Sequence, residues 1–405
     1  MQNISRKKLY SYYAPLLIFI SIIFNLILNN YGIHYLYILL IIISSVGMLL
    51  DGVIKYKHNN ILIVYSYISL LLIVNSFQLF CYSQPLVSMK SILMYSTLLI
   101  YWIIYFNKYS IDEFKSFLFG TVPYVYLVGI LAIVQYFFSP DLYGILGDLS
   151  KGIEWASDST FQEYATFFRA SSILGSPQVY GLFMVLSIIV FINIMNKNKF
   201  YYVSLLFLFL SGLLSGNKSF FIIFIIYMVY KFMFVNIKAK IKIFLLVLSF
   251  FTIFIILAPK DTLENIRVIN RVVNISEMKQ QEKTDSRLER YEAILLNSNP
   301  LIGNGLGSRT NRENMDLKVA ESYLFQIYAE SGIFVFIAFL VFLFGSFLFA
   351  NKKLFKDTRI IMVLIAFSML IVHAFNSPIF FIFWGILMSS YANKQKENIL
   401  YDHTN

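Results

Sequence analysis

The sequence predicts an all-α polytopic membrane protein: a single transmembrane domain over residues 1–405, with about twelve spans and two long external loops. Three observations carry this expectation. Of 405 residues, 58% are hydrophobic and only 14% are charged, with a mean hydropathy of +0.69, whereas an ordinary soluble domain carries roughly 25% charge. Apolar runs of about 20 residues, the length that crosses a bilayer core, follow one another with little between them. The cations fall between the runs in an alternating pattern, as the positive-inside rule requires.

"RKK" at 6–8 leads into a first apolar stretch that reads as a retained span rather than a cleaved signal. The spans are expected at 13–29, 31–50, 61–80, 86–106, 117–138, 173–195, 200–214, 218–235, 243–258, 322–349, 360–376 and 379–392. With a cytoplasmic N-terminus, the inner connections hold Lys55 and Lys57; Lys108 and Lys115; Lys197 and Lys199; Lys231, Lys238, Lys240 and Lys242; Lys352, Lys353, Lys356 and Arg359; then Lys394 and Lys396. Every inner connection is therefore basic, and both termini are cytoplasmic. The short outer turns hold almost no charge except Lys218 in "SGNKS". These loop cations account for the net charge of +11 without a nucleic-acid partner. The spans themselves read as nearly free of Asp, Glu, Lys and Arg, with Lys90 the main exception. Broken half-helix pairs and clear inverted repeats are not evident.

Cys81 is the only cysteine, which excludes an intrachain disulfide. His34, His58, His373 and His403 are scattered, and no HExxH or paired-Cys motif occurs, so no metal site is expected. Walker A and GxGxxG motifs are also absent, so no cofactor is expected and the chain carries no ATPase of its own.

Two outer segments exceed ordinary turns. Residues 139–172 are net acidic, with Asp141, Asp148, Glu154, Asp158 and Glu163 against Lys151 and Arg169. Residues 259–321 carry both signs and are expected to contain short helices. Within them, "TDSRLERYEAILLNSNP" reads as a helix. Ser286 and Glu289 fit a capping box. Leu288, Tyr291 and Leu295 form one apolar stripe. Asn299-Pro300 ends the helix, because the residue before proline avoids helical backbone. Gly303, Gly305 and Gly307 then give a flexible turn, either a plain connection or one that brings backbone N–H groups close to a ligand.

Several polar groups, distant in sequence, map to the outer face. Arg169 precedes the sixth span, and Lys218 sits on the turn between the seventh and eighth. Arg287 and Arg290 are three residues apart on one face of the loop helix. Glu321 opens the tenth span, and His373 lies near the outer end of the eleventh. Each has a plainer reading. Arg169 can snorkel to headgroups, Lys218 can satisfy its turn, and Arg287 and Arg290 can pair with neighbouring glutamates. Glu321 can favour a helix N-terminus, and His373 can be a packed histidine. Together they suit a lipid-linked diphosphate. Guanidinium groups donate paired hydrogen bonds to phosphate oxygens, and a carboxylate can take the proton of an attacking sugar hydroxyl. A departing diphosphate needs charge stabilisation rather than a protonated acid, and arginines supply it without a metal.

At these residues the chain resembles the O-antigen polymerase (Wzy-type) and O-antigen ligase superfamily. "FRASSILGSPQVYGLFM" (168–184) is similar to the family's Arg, Gly and Ser-Pro segment that opens a span. "SGNKS" (215–219) resembles its short polar hairpin, with Lys218 where an Arg is common. "SRLERYEAILLNSNPLIGNGLGS" (286–308) resembles its Arg-bearing helix and glycine turn, and "ESYLFQIYAESGIF" (321–334) the helix that follows. The resemblance spans about 168–340.

The resemblance implies a GT-C-like fold and a polysaccharide polymerase of the bacterial cytoplasmic (inner) membrane, acting on its external face. A glycan on undecaprenyl diphosphate is transferred to another lipid-linked repeat unit. Arg169, Arg287 and Arg290 would grip diphosphate, with Lys218 and His373 on the substrate side and Glu321 as base. The implied partners are the lipid-linked oligosaccharide as donor and acceptor, the bilayer, and a chain-length-regulating membrane protein. Ligases carry His, then Asn, Ser or Gln, then nine residues and Gly. Here Glu321-Ser322 is followed by nine residues and Gly332, which favours polymerase over ligase. A flippase is the alternative from another class. It fits the span count and is disfavoured by the apparent lack of intramembrane charge and of broken helices.

Overall fold

A computed structural model of the chain describes residues 36–50, 61–81, 85–137, 170, 172–174, 177–195, 199–234, 294–306, 322–350, 354–355, 357–372, 375 and 378–392, with Ile18, Ile20, Ser21 and Glu292. Every regular element among them is helical. The α-helices are α1 (Leu36–Leu50), α2 (Ile61–Cys81), α3 (Pro85–Lys108), α4 (Ile111–Phe137), α5 (Pro177–Ile194), α6 (Lys199–Leu213), α7 (Lys218–Met233), α8 (Tyr323–Leu348), α9 (Thr358–Ile371) and α10 (Phe381–Ser389). Short 3-10 turns occupy Ser172–Leu174 and Pro378–Phe380.

Four of these helices are long and apolar enough to cross a membrane, with windows at Leu62–Leu79, Ile111–Tyr136, Pro177–Ile194 and Tyr323–Leu348. Leu36–Leu50, Tyr201–Leu213 and Thr358–Ile371 are shorter apolar helices. Each falls on an expected span. The expected span at 243–258 lies outside the described residues, as does most of both long loops. Helix α4 begins earlier than the apolar run suggests. Glu113 reaches back to accept from the backbone N–H of Ser110 at 2.6 Å, one half of a capping box. Asp112 joins it in the first turn, where acids complement the helix dipole. A charged first turn hides a helix start from a hydropathy reading.

Packing divides the chain into two compact units. The first contains α1, α2, α3, α4 as far as Tyr124, α8, α9 and α10. Its core is aromatic. Trp102 is fully buried, stacks on Phe381 with ring centroids 4.6 Å apart, and donates from Nε1 to the Phe381 carbonyl at 3.0 Å. A Cβ on Gly385 would lie 2.5 Å from that indole, so α10 presents bare backbone there. A second stack joins Phe342 to Tyr67, Trp384 and Tyr391. The Tyr391 hydroxyl donates to the Phe342 carbonyl at 2.5 Å. The buried hydroxyls of Ser45, Ser346 and Ser368 bond back to carbonyls of their own helices, which satisfies them in apolar surroundings.

The outward face of α8 fits lipid rather than water. Phe334, Ile337, Val341, Phe344 and Leu348 are all exposed. Their spacing of three, four, three and four residues is one helical stripe. Val335, Phe339, Phe342 and Ser346 face inward and are buried. The second unit holds α4 from Val125, the Ser172–Leu174 turn, α5 as far as Ile189, α6 and α7.

Candidate functional site

In the first unit, α8 is interrupted at Gly332, whose φ of 77° and ψ of −179° lie in a region open essentially to glycine alone. An unbroken helix would bond the N–H groups of Ile333 and Phe334 to the carbonyls of Ala329 and Glu330. The turn at 299–306 takes over instead. Ile333 N–H donates to Pro300 O at 2.9 Å, Asn304 N–H to Ala329 O at 2.8 Å, and Gly305 N–H to Glu330 O at 2.9 Å. Gln78 Nε2, from the end of α2, donates to Glu330 O at 2.8 Å and also to Ile302 O. The Ile333 N–H and the carbonyls of Ala329 and Glu330, freed by the break, are thereby paired, as apolar surroundings demand.

The approach is close enough to need glycine on both sides. A Cβ on Gly332 would stand 2.2 Å from Leu301 O, and one on Gly303 would stand 2.4 Å from Glu330 C. The turn is internally braced. Asn299 Oδ1 accepts from Leu301 N at 3.1 Å, Asn304 Oδ1 accepts from Asn299 N at 3.0 Å, and Asn304 Nδ2 donates to Asn297 O at 2.9 Å. These side-chain bonds imitate a backbone turn. The N–H groups of Gly303 and Gly305 bond Asn299 and Glu330. At Gly303 and Gly305 this fits the plain connection of the two readings the sequence left open; Gly307 lies outside the described residues.

Beside the break, Glu330 is 1% exposed. Gln326, one turn earlier, donates from Nε2 to Glu330 Oε1 at 2.9 Å. The hydroxyls of Tyr95 and Tyr323 are hydrogen-bonded to each other. Tyr67, Tyr95, Tyr323, Gln326, Glu330 and Ser331 line a small cavity with room for about one water molecule. Ser331 Oγ is buried there without a hydrogen-bond partner among the described residues. A carboxylate inside an apolar span is costly and is by default a functional candidate. Among the described residues, no cluster of three His, Cys, Asp or Glu side chains could hold a metal.

In the second unit the polar hairpin closes between α6 and α7. Gly216 supplies a φ of 56°. Asn217 caps α7 by accepting from Ser219 N at 3.0 Å. Lys218 is the exposed first residue of α7. The start of α5 docks on this hairpin. Asn217 Nδ2 donates to Gln178 O at 2.9 Å, and a Cβ on Gly181 would meet Ser215 Oγ at 2.7 Å. Ala170 N–H donates to Leu214 O at 2.9 Å. Ser172 holds a positive φ of 52°, braced by N–H donation to Gln135 Oε1 and Oγ donation to Val128 O, both at 2.7 Å.

The four segments singled out in the sequence thus come together in two pairs, one pair in each unit. Arg169 is one residue before Ala170 in the chain, and Lys218 is four after Leu214. Arg169, Arg287, Arg290, Glu321 and His373 lie outside the described residues, as do the Ser286–Glu289 capping box and Gly307. At the end of the loop helix, the buried residue is Ile294, packed with Ala329 and Phe325, whereas Leu295 is 44% exposed. The expected stripe therefore has the wrong phase at that point. Glu330 is an exception, beside Lys90, to spans read as nearly free of charge, and α8 is a single broken helix. Glu330, Gln326, Gln78 and Tyr95 were not foreseen as site residues. The available signal was "QIYAES", which carries three polar residues into an otherwise apolar run.

Compared with known proteins, the chain matches no protein-family model and no curated protein.

Proposed function

We propose that this protein is an integral membrane glycosyltransferase that polymerises undecaprenyl-diphosphate-linked oligosaccharide repeat units into O-antigen or capsular polysaccharide. It works on the external face of the bacterial cytoplasmic membrane, with about twelve spans and both termini cytoplasmic. The observation that carries this reading is the pairwise docking of the polymerase-like segments. "FRASSILGSPQVYG" meets "SGNKS" through the Asn217–Gln178 bond, and meets Leu214, the residue just before it, through Ala170 N–H. "NPLIGNG" meets "YLFQIYAESGI" through three backbone bonds.

In this reading an acceptor sugar hydroxyl attacks the anomeric carbon of the donor glycan. A C–O bond forms there, and the bond to the diphosphate oxygen breaks. Undecaprenyl diphosphate leaves with that electron pair. Arg169, Arg287 and Arg290 hold its charge, and Glu321 takes the hydroxyl proton. Lys218 and His373 contact the glycan or diphosphate, and no metal takes part. A membrane protein that regulates chain length is a further partner. Single substitutions Arg169→Ala, Arg287→Ala and Glu321→Ala are expected to cut long-chain polysaccharide about 100-fold or more while membrane insertion is unchanged. Full chain length in all three variants, read on a polysaccharide gel, would overturn the proposal.

A flippase for the same lipid-linked oligosaccharide is the second reading. The break at Gly332 and the buried Glu330 favour it, because discontinuous helices and intramembrane carboxylates commonly mark transport sites. A ligase differs only in its acceptor and lacks support from Glu321, which stands where ligases carry His.

A further inference from the structure

We infer that Gln78 is a positioning residue: its side-chain amide clasps the 299–306 turn to the broken part of α8 and so sets where the proposed catalytic loop meets the membrane. This inference rests on the polymerase reading for its functional consequence, though not for its geometry. Gln78 is fully buried near the C-terminal end of α2. Its Nε2 donates to Ile302 O in the turn and to Glu330 O in α8. One amide therefore ties three elements that lie 224 and 252 residues apart in sequence.

The break explains why an amide is needed there. Glu330 O has lost its helical donor and takes two in exchange, Gly305 N–H and Gln78 Nε2. Ile302 O points into the same place. Two carbonyls converging without a donor between them would repel, and only a side chain with two N–H groups can serve both. That requirement also fixes the amide's orientation. Gln78 Oε1 is left buried without a hydrogen-bond partner among the described residues. An oxygen left in that condition shows that the donor side is what the position demands.

The clasp acts at a distance on the chemistry. Glu321 is two residues before α8. Ile294, packed on Ala329 and Phe325, is four residues after Arg290. Holding the turn on α8 therefore fixes Ile294 and Ser322, the described residues from which the segments bearing Arg290 and Glu321 lead away.

The test is hydrogen exchange on the full-length protein in detergent, with Gln78→Leu and Gln78→Met, which keep roughly the size and remove the donor. Amides of Asn304, Gly305 and Ile333 are expected among the slow exchangers in the parent protein. They should exchange about tenfold faster or more in both variants, with other helices unchanged. Elongation at saturating lipid-linked donor should fall while the donor concentration for half-maximal rate holds. Unchanged exchange at those amides in both variants overturns the inference. If neither variant accumulates, fast exchange at those amides in the parent protein overturns it as well. Absence of polymerisation by the parent protein would instead sink the functional reading and leave the clasp standing.

Discussion

Gly332→Ala is expected to abolish long-chain polysaccharide and to lower the thermal unfolding midpoint of the purified protein clearly. The added methyl would stand 2.2 Å from Leu301 O and 2.5 Å from Leu301 C. Both are backbone atoms, so no rotamer change relieves the clash. A residue with a Cβ also resists the backbone angles found there, at about 1–3 kcal/mol, and forced overpacking adds about 1–3 kcal/mol. The cheapest escape is for α8 to close into a regular helix and expel the turn. That would strand Pro300 O, Asn304 N and Gly305 N, each now bonded across the break. Gly303→Ala attacks the same contact from the other side, with its methyl 2.4 Å from Glu330 C and Ser331 N. The double variant should therefore cost less than the sum of the two single changes. Unfolding curves and a chain-length gel on the three variants check this. Parental stability in Gly332→Ala would contradict it.

Glu330 gives the second large effect. Glu330→Ala removes the buried acceptor that Gln326 Nε2 uses, beside a small cavity. Losing that buried hydrogen bond costs about 1 kcal/mol, in addition to the void left by the side chain. Glu330→Gln keeps the size and an oxygen that can accept the same bond, so it should lose less stability than Glu330→Ala. Polymer output should fall in both variants, because a carboxylate carried this far into an apolar span is placed for function. Measuring unfolding and chain length side by side separates the two effects. Full output from Glu330→Gln would make the carboxylate structural only.

The helices were legible because a bilayer imposes one length and one composition on whatever crosses it. Lipid-facing Phe344 and core Phe342 both count toward the same apolar run, so hydropathy finds α8 without knowing which way it faces. The same averaging hid what matters most in it. Glu330 is one charge in a long apolar window, and Gly332 is one glycine of a kind that helices often tolerate. The break became visible only through its partners, Pro300, Asn304, Gly305 and Gln78. These come from a loop and from α2, and no local pattern encodes their arrival. Ile294 and Leu295 show a smaller failure of the same origin: on a short helix, neighbouring apolar residues fit the period equally well, and contact with Ala329 decides between them. Asn217 was local, and so within reach: an Asn before a helix start caps it by short-range geometry. The cation pattern offered chemistry but not convergence, and Lys218 is the one cation of that set among the described residues.

The measurement that tests the functional account most directly is reconstitution of the purified protein into liposomes with lipid-linked repeat units confined to one leaflet. The account predicts a ladder of lengthening glycans and release of undecaprenyl diphosphate, with no need for ATP or added metal. Movement of the lipid-linked oligosaccharide to the opposite leaflet with no lengthening of the glycan would contradict it, and would make the broken helix and Glu330 parts of a transporter.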